Sequence, residues 1–116
     1  VHLVESNARK CAFLREAARE SGAAAIIHNA RIENVTPTLE YVDVVTARAL
    51  APLPDLLEMG KIPLSRGASG LFLKSAGELG AIDIGQLASA ISVLPSLTSA
   101  EGRIVLVRPD HRAAPD

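Results

Sequence analysis

A chain of 116 residues with 48% hydrophobic and 22% charged residues has the balance of one globular domain, not of a disordered chain. Its 12 basic and 13 acidic residues give a net charge of −1, which excludes a global basic field for nucleic acid but not a local patch. Aromatics are only 3%, with no Trp, so stacking on bases is not the main binding device.

The opening run Val1-His2-Leu3-Val4 is apolar and largely β-branched, and it predicts a buried parallel strand ending at Glu5. The start at Val1, inside an apolar run, suggests a piece of something longer. Ser6 and Asn7 are good N-caps for a helix from Asn7 to Ser21. Ala8, Cys11, Leu14 and Ala18 share one face of that helix, and Gly22 sits where a left-handed C-cap is wanted. Residues 24–28 predict a second strand. Residues 29–42 predict irregular chain, because Pro37 blocks a continuous helix.

Residues 42–46 predict the third strand, with Arg48 just past its end. A short helix begins near Leu53 with a proline in its first turn. Residues 67–70 predict a turn, and Leu71-Phe72-Leu73 a strand that ends at Lys74. Ile84, Leu87, Ala88 and Ile91 have helical spacing, weakened by glycines at 77, 80 and 85. Residues 91–97, interrupted by Pro95, and residues 103–108 predict a final antiparallel pair. A frayed tail follows over 109–116.

Strands alternating with helices imply a parallel sheet, whose ligands bind beyond the carboxyl ends of the strands. The residues there are Glu5, Asn29 to Arg31, Thr46 to Arg48, and Lys74. A carboxylate such as Glu5 can accept hydrogen bonds from both hydroxyls of a ribose, or it is simply a solvated strand-end acid. Arg48 can grip a carboxylate or phosphate, or it pairs with a neighbour such as Asp55. Lys74 is either a phosphate ligand or a surface lysine.

Cys11 is the only cysteine, which excludes an internal disulfide and a cysteine-based zinc site and favours a reducing, cytoplasmic location. His2, His28 and His111 have no metal-ligand spacing, and no metal site is expected. His2 and His28 read as hydrogen-bonded structural histidines. No apolar run approaches the roughly 18–20 residues of a membrane span. There is no nucleophile elbow and no Gly-rich phosphate loop of the usual patterns. No catalytic acid, base or nucleophile is therefore expected. A response-regulator receiver also carries a lysine after a late strand, but the acidic residues for its Mg²⁺ and phosphoryl site are missing.

The strand ends, taken together, resemble one family. The stretch from His2 to Glu16, His28-Asn29-Ala30-Arg31-Ile32-Glu33, Asp43-Val44-Val45-Thr46-Ala47-Arg48-Ala49, Leu71-Phe72-Leu73-Lys74, and Pro95-Ser96-Leu97-Thr98 with Gly102-Arg103-Ile104-Val105 are similar to the GidB/RsmG proteins. These are ribosomal RNA small-subunit guanine-N7 methyltransferases. The resemblance implies an α/β fold, the Rossmann-like class I S-adenosylmethionine-dependent methyltransferase fold. Its sheet is mostly parallel, with a C-terminal antiparallel pair. Residues 1–108 would be a partial domain from the second strand onward, without the first strand, its Gly-rich loop or the N-terminal helices. By the same resemblance, Glu5 holds the cofactor ribose, and Ala30 and Arg31 border the adenine pocket. Arg48 serves cofactor and RNA, and Lys74 and Arg103 serve the RNA. Ser75 departs from the family, which usually has Gly there. The 116-residue piece alone is expected to be inactive and to bind S-adenosylmethionine weakly or not at all. Two alternatives stand beside this: a non-catalytic α/β binding or assembly module, and a same-fold methyltransferase with another substrate.

Overall fold

The computed structural model describes residues 1–48, 50–81 and 91–108. The helix expected around Ile84, Leu87 and Ala88 and the tail expected over 109–116 lie outside them. The chain forms two compact units, Val1–Glu40 and Tyr41–Asp116. No described helix is long and apolar enough to cross a membrane.

In the first unit, strand β1 (His2–Glu5) leads into helix α1 (Ala8–Ser21), then strand β2 (Ile26–Asn29) and a short helix α2 (Ile32–Val35). The helix starts because the Asn7 side chain accepts the Lys10 N–H at 3.0 Å, satisfying a donor that has no intrahelical partner. It stops because Gly22 turns left-handed at φ 71°, a conformation that costs glycine little. Strands β1 and β2 pair in parallel, with His2 opposite Ile26 and Glu5 opposite Asn29. Strand β1 is half-exposed rather than buried: this two-stranded sheet leaves every β1 side chain at least partly open. The stretch after β2 is more ordered than the sequence suggests. Pro37 sits in the first turn of a 3-10 helix over Thr36–Thr38, where its missing N–H costs nothing.

The second unit carries strand β3 (Val44–Arg48), helices α3 (Leu53–Met59) and α4 (Lys61–Ser65), strand β4 (Ser69–Ser75), helix α5 (Ala76–Gly80), strand β5 (Ile91–Pro95) and strand β6 (Gly102–Val107). The sheet order is β3-β4-β6-β5. The β3–β4 pair is parallel, and β6 runs antiparallel to both β4 and β5. Parallel strands joined by helices and closed by an antiparallel pair make a Rossmann-like α/β arrangement.

Several boundaries differ from the sequence expectation: β2 starts at Ile26 and not at residue 24, β3 starts at Val44 and not at residue 42, and β5 ends at Pro95. Strand β3 extends through Arg48, because its pairing with β4 continues to Arg48 opposite Leu73. The turn expected over 67–70 is already strand from Ser69. Of its two glycines, only Gly67 needs a positive φ, 104°. Gly70 serves packing instead: a Cβ there would meet the Phe72 ring at 2.9 Å.

One face of the four-stranded sheet holds the core. Alternation along β4 buries Gly70, Phe72 and Lys74 and leaves Leu71 and Leu73 exposed. Phe72, Val105 and Val107 join Leu53 and Leu56 of α3 and Leu79 of α5 in one cluster. Burying a side chain such as Phe72 contributes about 1.5–3 kcal/mol.

Candidate functional site

Each unit presents charged residues at the carboxyl ends of its parallel strands. In the first unit these are Glu5 and Arg31, with Ala30 between β2 and Arg31. Glu5 ends β1 and is half-buried. Its Oε2 accepts the Asn7 backbone N–H at 2.9 Å. Its backbone carbonyl accepts the Ala30 N–H at 3.1 Å and has the Cys11 Sγ at the same distance. These contacts fix the backbone of Glu5 and one carboxylate oxygen, while Oε1 has no partner among the described residues. A carboxylate offers about four acceptor positions, so most of that capacity is left for a ligand. Ala30 follows β2 and is half-buried, and Arg31 is exposed as the residue before α2, with no side-chain cap.

Cys11 is fully buried beneath these strand ends, as its helix position predicts. His2 and His28 stack with ring centroids 5.2 Å apart and a 2.9 Å contact from Nδ1 to Nε2. The hydrogen bond expected of each is made to the other.

In the second unit, Arg48, Lys74 and Arg103 lie at one end of the four-stranded sheet. The antiparallel register sets Lys74 opposite Arg103, and the parallel register sets Arg48 opposite Leu73. Side chains alternate along a strand, so Lys74 and Arg103 share the core-side face and Arg48 is on the other. Arg48 is exposed, and no ion pair to Asp55 forms among the described residues. Arg103 is half-buried and donates one guanidinium nitrogen to the carbonyls of Ala100 and Gly102, at 2.9 and 2.8 Å. About three of its five N–H donors stay available.

Lys74 is the exception to surface chemistry. It is 7% exposed. Its Nζ donates to the Ala51 carbonyl and lies 3.1 Å from Oε2 of Glu78. That oxygen is sealed from solvent and makes no directed hydrogen bond, so its compensation is the ion pair itself. Ser75 stands between Lys74 and the helix that carries Glu78. Its side chain caps α5 by accepting the Glu78 N–H at 3.1 Å. The sequence Ser75-Ala76-Gly77-Glu78 has the spacing of a capping box, a signal that sequence reasoning missed. Here the glutamate side chain turns to Lys74.

The family model and the curated relatives agree on one family. A family model described as GidB, rRNA small subunit methyltransferase G, matches residues 1–107. A relative named "Ribosomal RNA small subunit methyltransferase G" from Methylorubrum extorquens is 47% identical, over 99% of this chain and 56% of its own length. A protein of the same name from Paramagnetospirillum magneticum is 47% identical over 93% of this chain and 53% of its own length. The chain thus spans about half the length of the curated relatives it matches. Among solved structures, "Putative methyltransferase yhhF" from Escherichia coli superposes with a TM-score of 0.61, over 95% of this chain and 64% of the other, at 12% identity. That likeness speaks for the fold alone. By the match over residues 1–107, the chain belongs to the GidB family.

Proposed function

We propose that the protein carrying this chain transfers a methyl group from S-adenosylmethionine to guanine N7 of small-subunit ribosomal RNA. The observation that supports this most is the family match over residues 1–107, which includes every strand end discussed above. A ribosomal RNA substrate would go with a cytoplasmic location.

Guanine N7 has an exposed lone pair and no proton to remove. The cofactor, when bound, supplies a methyl group on a sulfonium centre with a good leaving group. The protein's work is then alignment of the reacting atoms and placement of charge, without a general base, a nucleophile or a metal. Glu5 fits the cofactor's ribose because its Oε1 is unengaged while the Asn7 N–H steadies Oε2. Ala30 borders the adenine with a small side chain, and Arg31 closes the same border. Arg48, exposed and without an ion-pair partner among the described residues, serves cofactor and RNA. Arg103 carries the basic strand end on the RNA side, in keeping with the phosphate contacts that dominate nucleic-acid affinity, while the Lys74 amine beside it is held by the Ala51 carbonyl and Glu78.

Residues 1–108 act as part of a methyltransferase domain. Among the described residues β1 and β3 each bond on one edge only, β1 to β2 and β3 to β4. On the resemblance to the family, the 116-residue chain by itself is inactive and binds the cofactor weakly or not at all. Calorimetric titration of that chain tests this, and micromolar binding would refute it. The reaction itself is tested with labelled cofactor and small subunits, using the protein at its natural length. Digestion to nucleosides should give labelled 7-methylguanosine, and any other labelled nucleoside would overturn the assignment.

A further inference from the structure

Three basic residues end the second unit's strands, yet they are not alike. Arg48 is exposed and Arg103 keeps free donors, whereas the Lys74 ammonium is spent inside the fold. Its side chain is 2% exposed. A lysine ammonium has about three donors. One goes to the Ala51 carbonyl and another faces the sealed Glu78 carboxylate oxygen. With the side chain this buried, the remaining donor could meet a phosphate only if the packing around it opened.

The Ala51 carbonyl is the informative partner. Ala51 lies between Arg48, at the end of β3, and Leu53, at the start of α3, and it packs against the core cluster. The Lys74 amine therefore ties Ala51, just ahead of α3, to β4. Glu78 pairs with that amine at 3.1 Å, and Ser75 caps α5 by accepting the Glu78 N–H. The chain of contacts runs Ser75, Glu78, Lys74, Ala51.

We infer that Lys74 is a positioning residue and not a phosphate ligand: braced by Glu78, it ties the Ala51 carbonyl, just ahead of α3, to β4 and so steadies the strand end at which Arg48 and Arg103 stand. Only the kinetic arm of its test rests on the RNA methylation proposed above.

The first measurement needs no activity. Reductive methylation of the native, full-length protein, read by peptide mass spectrometry, reports the accessibility of each lysine amine. Lys74 is expected to react at least about tenfold more slowly than the exposed Lys10, since a buried, paired amine reacts only on local opening. Equal labelling of the two overturns the proposal.

The second measurement compares Lys74→Met and Glu78→Gln with the wild type. Methyl transfer to small subunits gives kcat and KM, and RNA affinity is followed against salt. A positioning role predicts a kcat lowered about 10–100-fold in Lys74→Met, because small misplacements near reacting groups are costly. It predicts little change in KM and an unchanged salt slope. Glu78→Gln should move the same parameter in the same direction, but less. A phosphate contact predicts instead a salt slope smaller by about one in Lys74→Met, with the loss in KM. A Glu78 that merely masks Lys74 predicts tighter RNA binding in Glu78→Gln. Either result overturns the inference. If the wild type transfers no methyl group to guanine, the proposed reaction fails, and the labelling of Lys74 still decides this one.

Discussion

Glu5 and Lys74 stand at corresponding places, each near the carboxyl end of a parallel strand and each charged, but the two units treat them differently. The first unit buries little: Cys11, Val35 and Thr36 are its closed positions, and Glu5 keeps one carboxylate oxygen unengaged. The second unit has a connected apolar cluster, and it closes over Lys74 and gives it a carboxylate and a carbonyl. A strand-end charge is thus available to a ligand where the packing beneath it is thin. Where the packing is thick, the same kind of residue becomes part of the architecture, because a charge in low dielectric must be paired.

The contrast breaks most visibly if the second unit's core is not what closes over Lys74. Phe72 shares the buried face of β4 with Lys74 and is 1% exposed. Phe72→Ala should cost about 3–5 kcal/mol of stability, read as a lower denaturation midpoint and as faster amide exchange along β4 and β6. The exposed Leu73 next to it is the control: Leu73→Ala should cost much less. Similar losses for the two would mean that the face of β4 is wrongly assigned.

A smaller effect tests the open side of the comparison. Glu5→Gln keeps the shape and an acceptor oxygen but removes the charge that strengthens hydrogen bonds from ribose hydroxyls. In the full-length protein it should weaken S-adenosylmethionine binding by about 1.5–3 kcal/mol, with little change in the melting temperature. Unchanged affinity with a lower melting temperature would make Glu5 a structural residue like Lys74.

Much of this was legible in the sequence. Asn7 and Gly22 bound α1 as their chemistry demands, and of the expected face Cys11 is buried while Leu14 and Ala18 are half-buried and Ala8 is exposed. The antiparallel end pair is plain in the run from Arg103 to Val107. The fate of Lys74 was not legible. Leu71, Phe72 and Leu73 are all apolar, so the sequence carries no alternation to say which face of β4 is buried. Lys74 belongs to the phase of Phe72, and only the packed core decides that phase. Gly70 misled for a related reason: it looks like a turn residue, yet it makes room for the Phe72 ring. The division into a two-stranded and a four-stranded sheet was also invisible, because periodicity reports strands and not their neighbours.

The smallest expected effect comes from the other kind of ion pair. Arg19 meets Glu16 on α1 through two nitrogens, Nε at 3.1 Å from Oε2 and Nη2 beside Oε1. The chemical groups resemble those of Lys74 and Glu78, but the side chains are 69% and 59% exposed. Water and salt compete there, so the pair adds little to stability. The Arg19 guanidinium, foremost, and a contact from Glu20 hold the Glu16 carboxyl below its ordinary range. A carboxyl lowered in the folded state contributes above its unfolded value, and that contribution is lost as pH falls through the folded one. Carboxyl-detected NMR should therefore place the Glu16 midpoint below that of ordinary glutamates at low salt and nearer to them at about 1 M salt, where screening is strong. Glu16→Gln should leave the denaturation midpoint at neutral pH unchanged within error. A measurable loss would mean that exposed pairs help hold this fold, and that solvent access is not what separates Arg19 from Lys74.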